Sequence, residues 1–224
     1  VGVKYSSVAD MIGVYFRDKS NSLFERDFPK IEDYQFYGLV KAKRDYTNEM
    51  KQLSEEFKKF TYEFTNHYSN YNKNKSWSAL SLRGYTSDPA FITKPSEMNK
   101  KWQEENKDVE FELQDTPLRE KFPIVETILN DLPKENIHRI RFMKLKPGGG
   151  ELERHTDQVD ADSGIGDGQL MRLHYPVVTN DKVEFTCWTP SDTQIVNMKL
   201  GEMWFLDTRK PHRAVTVSYT HLTL

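Results

Sequence analysis

Ile137-His138-Arg139-Ile140-Arg141-Phe142-Met143-Lys144-Leu145, broken by Pro147-Gly148-Gly149-Gly150, is the stretch whose reading decides the fold. Side chains of an extended chain point alternately to opposite faces, so the alternation from Ile137 to Leu145 predicts a strand. Pro147 and the three glycines predict the turn that ends it. Downstream the rhythm repeats. Leu170–Val178, Val183–Trp188 and residues 194–200, 203–206 and 214–217 read as further short strands. Asn180-Asp181, Pro190-Ser191-Asp192 and Gly201-Glu202 separate them. Several strands joined by tight turns, with no helix between, predict an antiparallel double-sheet barrel or jelly roll.

Upstream the pattern is helical. Met50, Leu53, Phe57, Phe60 and Phe64 recur at three- and four-residue steps, which predicts an amphipathic helix over 45–71. A second helix is expected over 116–132, with Pro117 at its first position and Phe122, Val125, Ile128 and Leu129 buried. Trp77–Gly84 alternates like a strand. The stretch 87–115 is polar and Pro-punctuated, and reads as irregular with one short helix over 97–105. The expected fold is therefore α+β: residues 1–135 form a helical layer with one or two strands, packed on a double-stranded β-helix (jelly-roll) barrel formed by 136–224, the catalytic core.

Composition sets limits on partners. The 224 residues carry 32 Lys plus Arg against 34 Asp plus Glu, a net charge of −2, which gives no electrostatic reason to expect nucleic acid or an anionic membrane. No apolar run approaches the roughly 20 residues of a membrane span, and no secretory leader is read. One cysteine, Cys187, cannot form an internal disulfide, which suits a reducing compartment. The expectation is a soluble, cytoplasmic protein.

Chemistry concentrates in His155-Thr156-Asp157 and the later His212. Two imidazoles and one carboxylate are the set that holds Fe(II) on one face and leaves the other open. Ligands at i and i+2 of an extended segment project from one side, so His155 and Asp157 reach a common ion and His212 arrives from another strand. On spacing alone the alternative stands: a solvated loop edge, and a turn histidine after Pro211. Arg172 and His174 repeat the i, i+2 pattern. An Arg fork facing a metal site suits a carboxylate ligand; the alternative is an outward Arg and a core His. Asp207 either orients a ligand imidazole or caps the turn Thr208-Arg209-Lys210, and the turn is the stronger reading. Trp204 reads as core. Residues 160–168 fail as a calcium loop, because Ile165 and Met171 stand where a glycine and a glutamate are needed. They read as a lid over the barrel mouth or as a plain solvated connection.

From Ile140 to Val217 the chain resembles the aspartyl/asparaginyl β-hydroxylase family of Fe(II)- and 2-oxoglutarate-dependent dioxygenases. The resemblance runs through Leu145-Lys146-Pro147-Gly148, His155-Thr156-Asp157, Arg172-Leu173-His174-Tyr175-Pro176, Gly201-Glu202-Met203-Trp204-Phe205-Leu206-Asp207 and Pro211-His212. It implies His155, Asp157 and His212 as iron ligands, Arg172 and His174 as contacts to 2-oxoglutarate, and O2 as the oxidant. It implies hydroxylation of an aspartyl or asparaginyl residue or an amino acid, in a peptide, protein or free. The family's second Arg, about ten residues past the distal His, is missing: position 222 is Leu222. Either Arg172 takes its role or the chain from about Ser218 is truncated or non-native, and the second is the expectation. Alternatives on the same scaffold are a hydroxylase of free proline or of a lipid acyl chain. A non-catalytic cupin-like barrel binding a metal or small acid, or a structural barrel with incidental histidines, are the others. Arg83 and Arg213 are candidate substrate contacts that read more simply as exposed charges.

Overall fold

The computed structural model describes residues 9–17, 26–28, 38–132, 134–146, 149–157 and 170–216. In chain order these form β1 (Ala9–Arg17), β2 (Leu39–Asp45), α1 (Thr47–Lys58), β3 (Thr65–Asn66), β4 (Trp77–Gly84), α2 (Lys100–Glu105), β5 (Gln114–Asp115) and α3 (Pro123–Leu129). Then follow β6 (Ile137–Leu145), β7 (Glu151–His155), β8 (Leu170–Val178), β9 (Val183–Trp188), β10 (Thr193–Val196), β11 (Glu202–Leu206) and β12 (His212–Thr216). The fold is α+β and rich in strands, which pair antiparallel.

The larger sheet runs β2-β11-β8-β1-β6-β4-β3, with β5 also on β4; the smaller runs β10-β9-β12-β7. Alternation along the larger sheet sorts its two faces. Val14, Val40, Leu80, Leu82, Ile140, Phe142, Leu173, Tyr175, Met203 and Phe205 point one way, into the main core. Met50 and Leu53 of α1 and Val125, Ile128 and Leu129 of α3 close that core. The opposite face carries Tyr15, Arg139, Arg141, Arg172 and His174, which line a cavity. Beside it a second apolar cluster joins Leu39, Ala79, Met143 and Leu206 of the larger sheet to Cys187 and Met198. The two sheets therefore face each other across a partly polar gap, and the helices brace the outside.

Several expectations need correction. The described strands form two sheets and no closed barrel, so the jelly roll is not completed among the described residues. Strands from the first part of the chain are integral to the larger sheet, with β1 seated between β6 and β8. The long helix expected over 45–71 stops at Lys58, and the chain continues without helix to the short strand β3. Phe60 and Phe64 still pack against the core. A four-residue step keeps one face in a strand as well as in a helix, so this pair could not tell the two apart. The helix expected over 116–132 is broken. Thr116 docks on β4, its hydroxyl donating to the Ser81 carbonyl at 2.7 Å, and Pro123, not Pro117, opens α3. A proline inside a continuous helix would cost it a hydrogen bond, so the helix restarts there. In 87–115 the expected helix is the shorter α2, capped by Asn99, which accepts from the Trp102 amide at 2.9 Å. The strand expected over 194–200 is limited to β10. Residues 158–169 and 217–224, with the lid reading and Leu222, lie outside the described residues.

Candidate metal centre and its cavity

His155 ends β7 and His212 opens β12, and the two are register partners across the smaller sheet. Their rings lie 4.3 Å apart. Asp157 sits just past β7, where its amide donates to the Thr208 carbonyl at 3.1 Å. One ligand atom from each of the three lies within 4.8 Å of the others, so together they could hold a metal ion. Asp157 Oδ1 is 3.3 Å from His155 Nε2 and 3.6 Å from His212 Nε2.

The imidazoles are oriented by main-chain carbonyls. His155 Nδ1 lies 2.6 Å from the Glu153 oxygen, and His212 Nδ1 lies 2.9 Å from that of Lys210. A carbonyl only accepts, so each Nδ1 carries a proton, and in the neutral ring Nε2 is the nitrogen with the lone pair. His212 Nε2 is buried and has no hydrogen-bond partner, as a ligand nitrogen awaiting a cation would be. Burial pushes the His212 imidazole down to about 4, against the pull of Asp157, so it is neutral at neutral pH. Burial would raise the Asp157 carboxyl, but the Arg172 guanidinium and the two imidazoles together outweigh it and hold the group well below the usual carboxylate range. Arg172 Nη1 donates to Asp157 Oδ2 at 2.8 Å, which leaves Oδ1 turned to the histidines. Two borderline nitrogens and one hard oxygen, charged as needed and on one side of a cavity, fit a divalent transition metal with open positions.

Around the triad lies a cavity of about 500 Å³, bounded by both sheets and by residues 67–71 and 94–97. This is the size range of small-molecule sites. Arg172 and His174, expected to face a cosubstrate, both line it. His174 Nδ1 is buried without a partner, and burial, with Arg172 and His212 nearby, pushes its imidazole well below its ordinary value. Tyr71 stacks on His155 at 3.8 Å between ring centroids.

Residues 42–221 match the aspartyl/asparaginyl β-hydroxylase family. The chain belongs to this family of hydroxylases. No solved structure matches it.

Within this family member, Asp207 follows the turn reading. It is buried, accepts from the side chains of Arg209 and Lys210 at 2.7 and 2.8 Å, and caps the Arg209 amide at 3.2 Å. Through that turn it sets the Lys210 carbonyl on which His212 hangs. Trp204 is partly buried against the second apolar cluster. Arg213 lines the hydroxylase cavity, with its Nε on Glu151 at 2.7 Å, whereas Arg83 pairs with Asp115 outside the lining. Sequence reasoning missed Tyr15, Tyr71, Arg139 and Arg141. Arg139 and Arg141 carried a usable signal: they are an i, i+2 pair of charges on one face of a strand, the same pattern that drew notice to Arg172 and His174.

Proposed function

We propose that the chain is an Fe(II)- and 2-oxoglutarate-dependent dioxygenase that hydroxylates an unactivated C–H bond, most directly of an aspartyl or asparaginyl residue or an amino acid. One observation carries the reading: His155, Asp157 and His212 converge at a cavity wall with the Nε2 atoms of both rings turned to the same Asp157 oxygen. Family membership supports the reaction class. We read the facing sheets as the walls of a jelly roll, and a reducing cytoplasm as the setting that keeps iron ferrous.

In this reading His155, Asp157 and His212 hold the ion, and Arg172 and His174 face the 2-oxo acid. When bound, iron with 2-oxoglutarate and O2 supplies the oxidation that puts one oxygen atom into the substrate and the other into succinate, with release of CO2. The chain's own residues set the conditions. The neutral His212 imidazole binds without a proton to displace. Arg172 fixes the Asp157 carboxylate so that one oxygen stays free for the metal. Leu39, Met143, Phe185 and Leu206 give the cavity an apolar wall that limits water near the ion.

Anaerobic titration of the apoprotein with Fe(II) and 2-oxoglutarate is expected to produce a weak visible charge-transfer band, lost in His155→Ala. A missing band in wild type, or its survival in the variant, contradicts the ligand assignment. Release of succinate from labelled 2-oxoglutarate, stimulated by Asp- or Asn-containing peptides, then tests the substrate class. Stimulation by free amino acids alone would exclude protein modification.

A further inference from the structure

His155 is held by more than its hydrogen bond. Two torsions join an imidazole to its backbone, and the second is soft. The Glu153 carbonyl restrains the His155 ring at Nδ1, at 2.6 Å, and a ring held at one atom can still tilt about it. Tyr71 removes that freedom. Its ring lies face to face on the imidazole, with centroids 3.8 Å apart and planes 7° from parallel.

The connection from β3 to β4, residues 67–76, fixes the Tyr71 ring from several sides. The Tyr71 carbonyl accepts from the Glu153 amide at 3.0 Å, so the plate and the carbonyl that orients the imidazole hang on one residue of β7. At the other end the Tyr71 side chain is hydrogen-bonded to the Ser69 hydroxyl. Ser69 is itself tied to His67 Nδ1, its amide at 3.3 Å and its hydroxyl at 2.7 Å. An amide only donates, so His67 Nδ1 accepts from both, and the Ser69 oxygen is left to accept from Tyr71. Asn72, 8% exposed, closes the loop: its Nδ2 donates to the His67 and Trp77 carbonyls, each at 2.8 Å, and its Oδ1 accepts from the Trp77 amide at 2.7 Å. Ser76 staples the loop to β7. Its hydroxyl donates to the Glu151 carbonyl at 3.0 Å and accepts from the Glu151 amide at 3.1 Å. Asn74 and Lys75 adopt left-handed φ of 54° and 50°, which persists only where the surroundings impose it. All of these bonds serve to hold one flat ring against one imidazole.

We propose that Tyr71 is a positioning residue for the metal centre: its ring keeps the His155 imidazole in the plane that turns Nε2 to the ion. The role rests on the reading of the triad as a metal centre. In this arrangement Nε2 lies 3.3 Å from Asp157 Oδ1, so an ion meets ligands that need little reordering, and the ordering avoided appears as affinity. The contact is made by a ring face. Phe can therefore replace Tyr71 here, and an aliphatic side chain cannot.

Anaerobic titration of the metal-free full chain with Co(II) tests this, with affinity read by competition with a fluorescent chelator and ligand geometry by the visible d–d bands. Tyr71→Phe is expected to match wild type in both. Tyr71→Leu is expected to bind roughly 2- to 10-fold more weakly, the scale of one aromatic pair, and to shift the bands. A band shift reports altered ligand geometry, which a loss of fold stability alone does not produce. If Tyr71→Leu keeps wild-type affinity and bands, or if Tyr71→Phe loses as much as Tyr71→Leu, the positioning role is overturned while the metal-centre reading stands. If wild type takes up no Co(II), that reading falls and the role with it. Should Tyr71→Leu fail to fold, nuclear magnetic relaxation of the His155 ring in metal-free wild type decides. A ring as rigid as the backbone is expected, and a mobile one overturns the proposal.

Discussion

Asp207 illustrates how a residue outside the candidate metal triad can position one of its members. It is buried, and burial alone would raise its carboxyl, but the side chains of Arg209 and Lys210 hold it below its ordinary value. The turn it ties supplies the Lys210 oxygen that orients His212. Asp207→Ala should therefore weaken metal binding by roughly 10- to 100-fold, as loss of groups behind a metal ligand usually does. Competition with a fluorescent chelator measures this. An affinity equal to wild type would mean that His212 needs no help from the turn. At this scale the triad was legible, because His155 and Asp157 are neighbours on an extended segment and His212 follows a proline. Tyr15 was not legible. It reaches the cavity only because β1 inserts between β6 and β8, and nothing local to residues 9–17 marks that pairing.

Single elements show where periodicity decides and where it does not. β6 and β8 were readable because alternation survives burial on both faces, with Arg139, Arg141, Arg172 and His174 on one side and Ile140, Phe142, Leu173 and Tyr175 on the other. α1 was over-extended because Phe60 and Phe64 satisfy both periods. The aromatic and β-branched residues of 60–66, which are poor helix formers, were the better guide. Turns carry information of a different kind. Gly201 joins the chain before β11 to the start of α1: its carbonyl accepts from the Tyr46 amide at 2.8 Å, and its φ is +87°. An added Cβ would lie 2.5 Å from Thr47 Cα and 2.6 Å from Thr47 N, so the backbone itself would have to move. Gly201→Ala is expected to cost about 1–3 kcal/mol, from the left-handed conformation and the crowding together. A lowered urea midpoint with an unchanged slope is the expected result. An unchanged midpoint would show that α1 and β11 are not locked at this turn.

Across the whole molecule, buried imidazoles sit in a positively charged interior, and that ties stability to pH. Burial and the nearby Arg141 push His67 down to about 3, and burial pushes His212 down to about 4 and His174 well below its usual value. In the unfolded chain such groups titrate near about 6.5. Below that pH the unfolded state takes up protons that the folded state refuses, so the equilibrium moves toward unfolding as pH falls. The stabilising contribution is complete above about 6.5 and is lost progressively down to about 4 for His212 and about 3 for His67. Asp157, with its carboxyl held low by Arg172, adds a loss in the same direction in stronger acid. Urea unfolding of the metal-free protein should therefore give a midpoint that declines steadily from neutral pH into the acid range. His67→Gln should flatten the decline, since it removes one of the refusing groups. Bound metal should steepen it, because the ion holds His155 and His212 deprotonated only in the folded state. A midpoint that stays level through this range would mean that these rings take up protons where they sit, and a ring that does so cannot keep its lone pair for a metal.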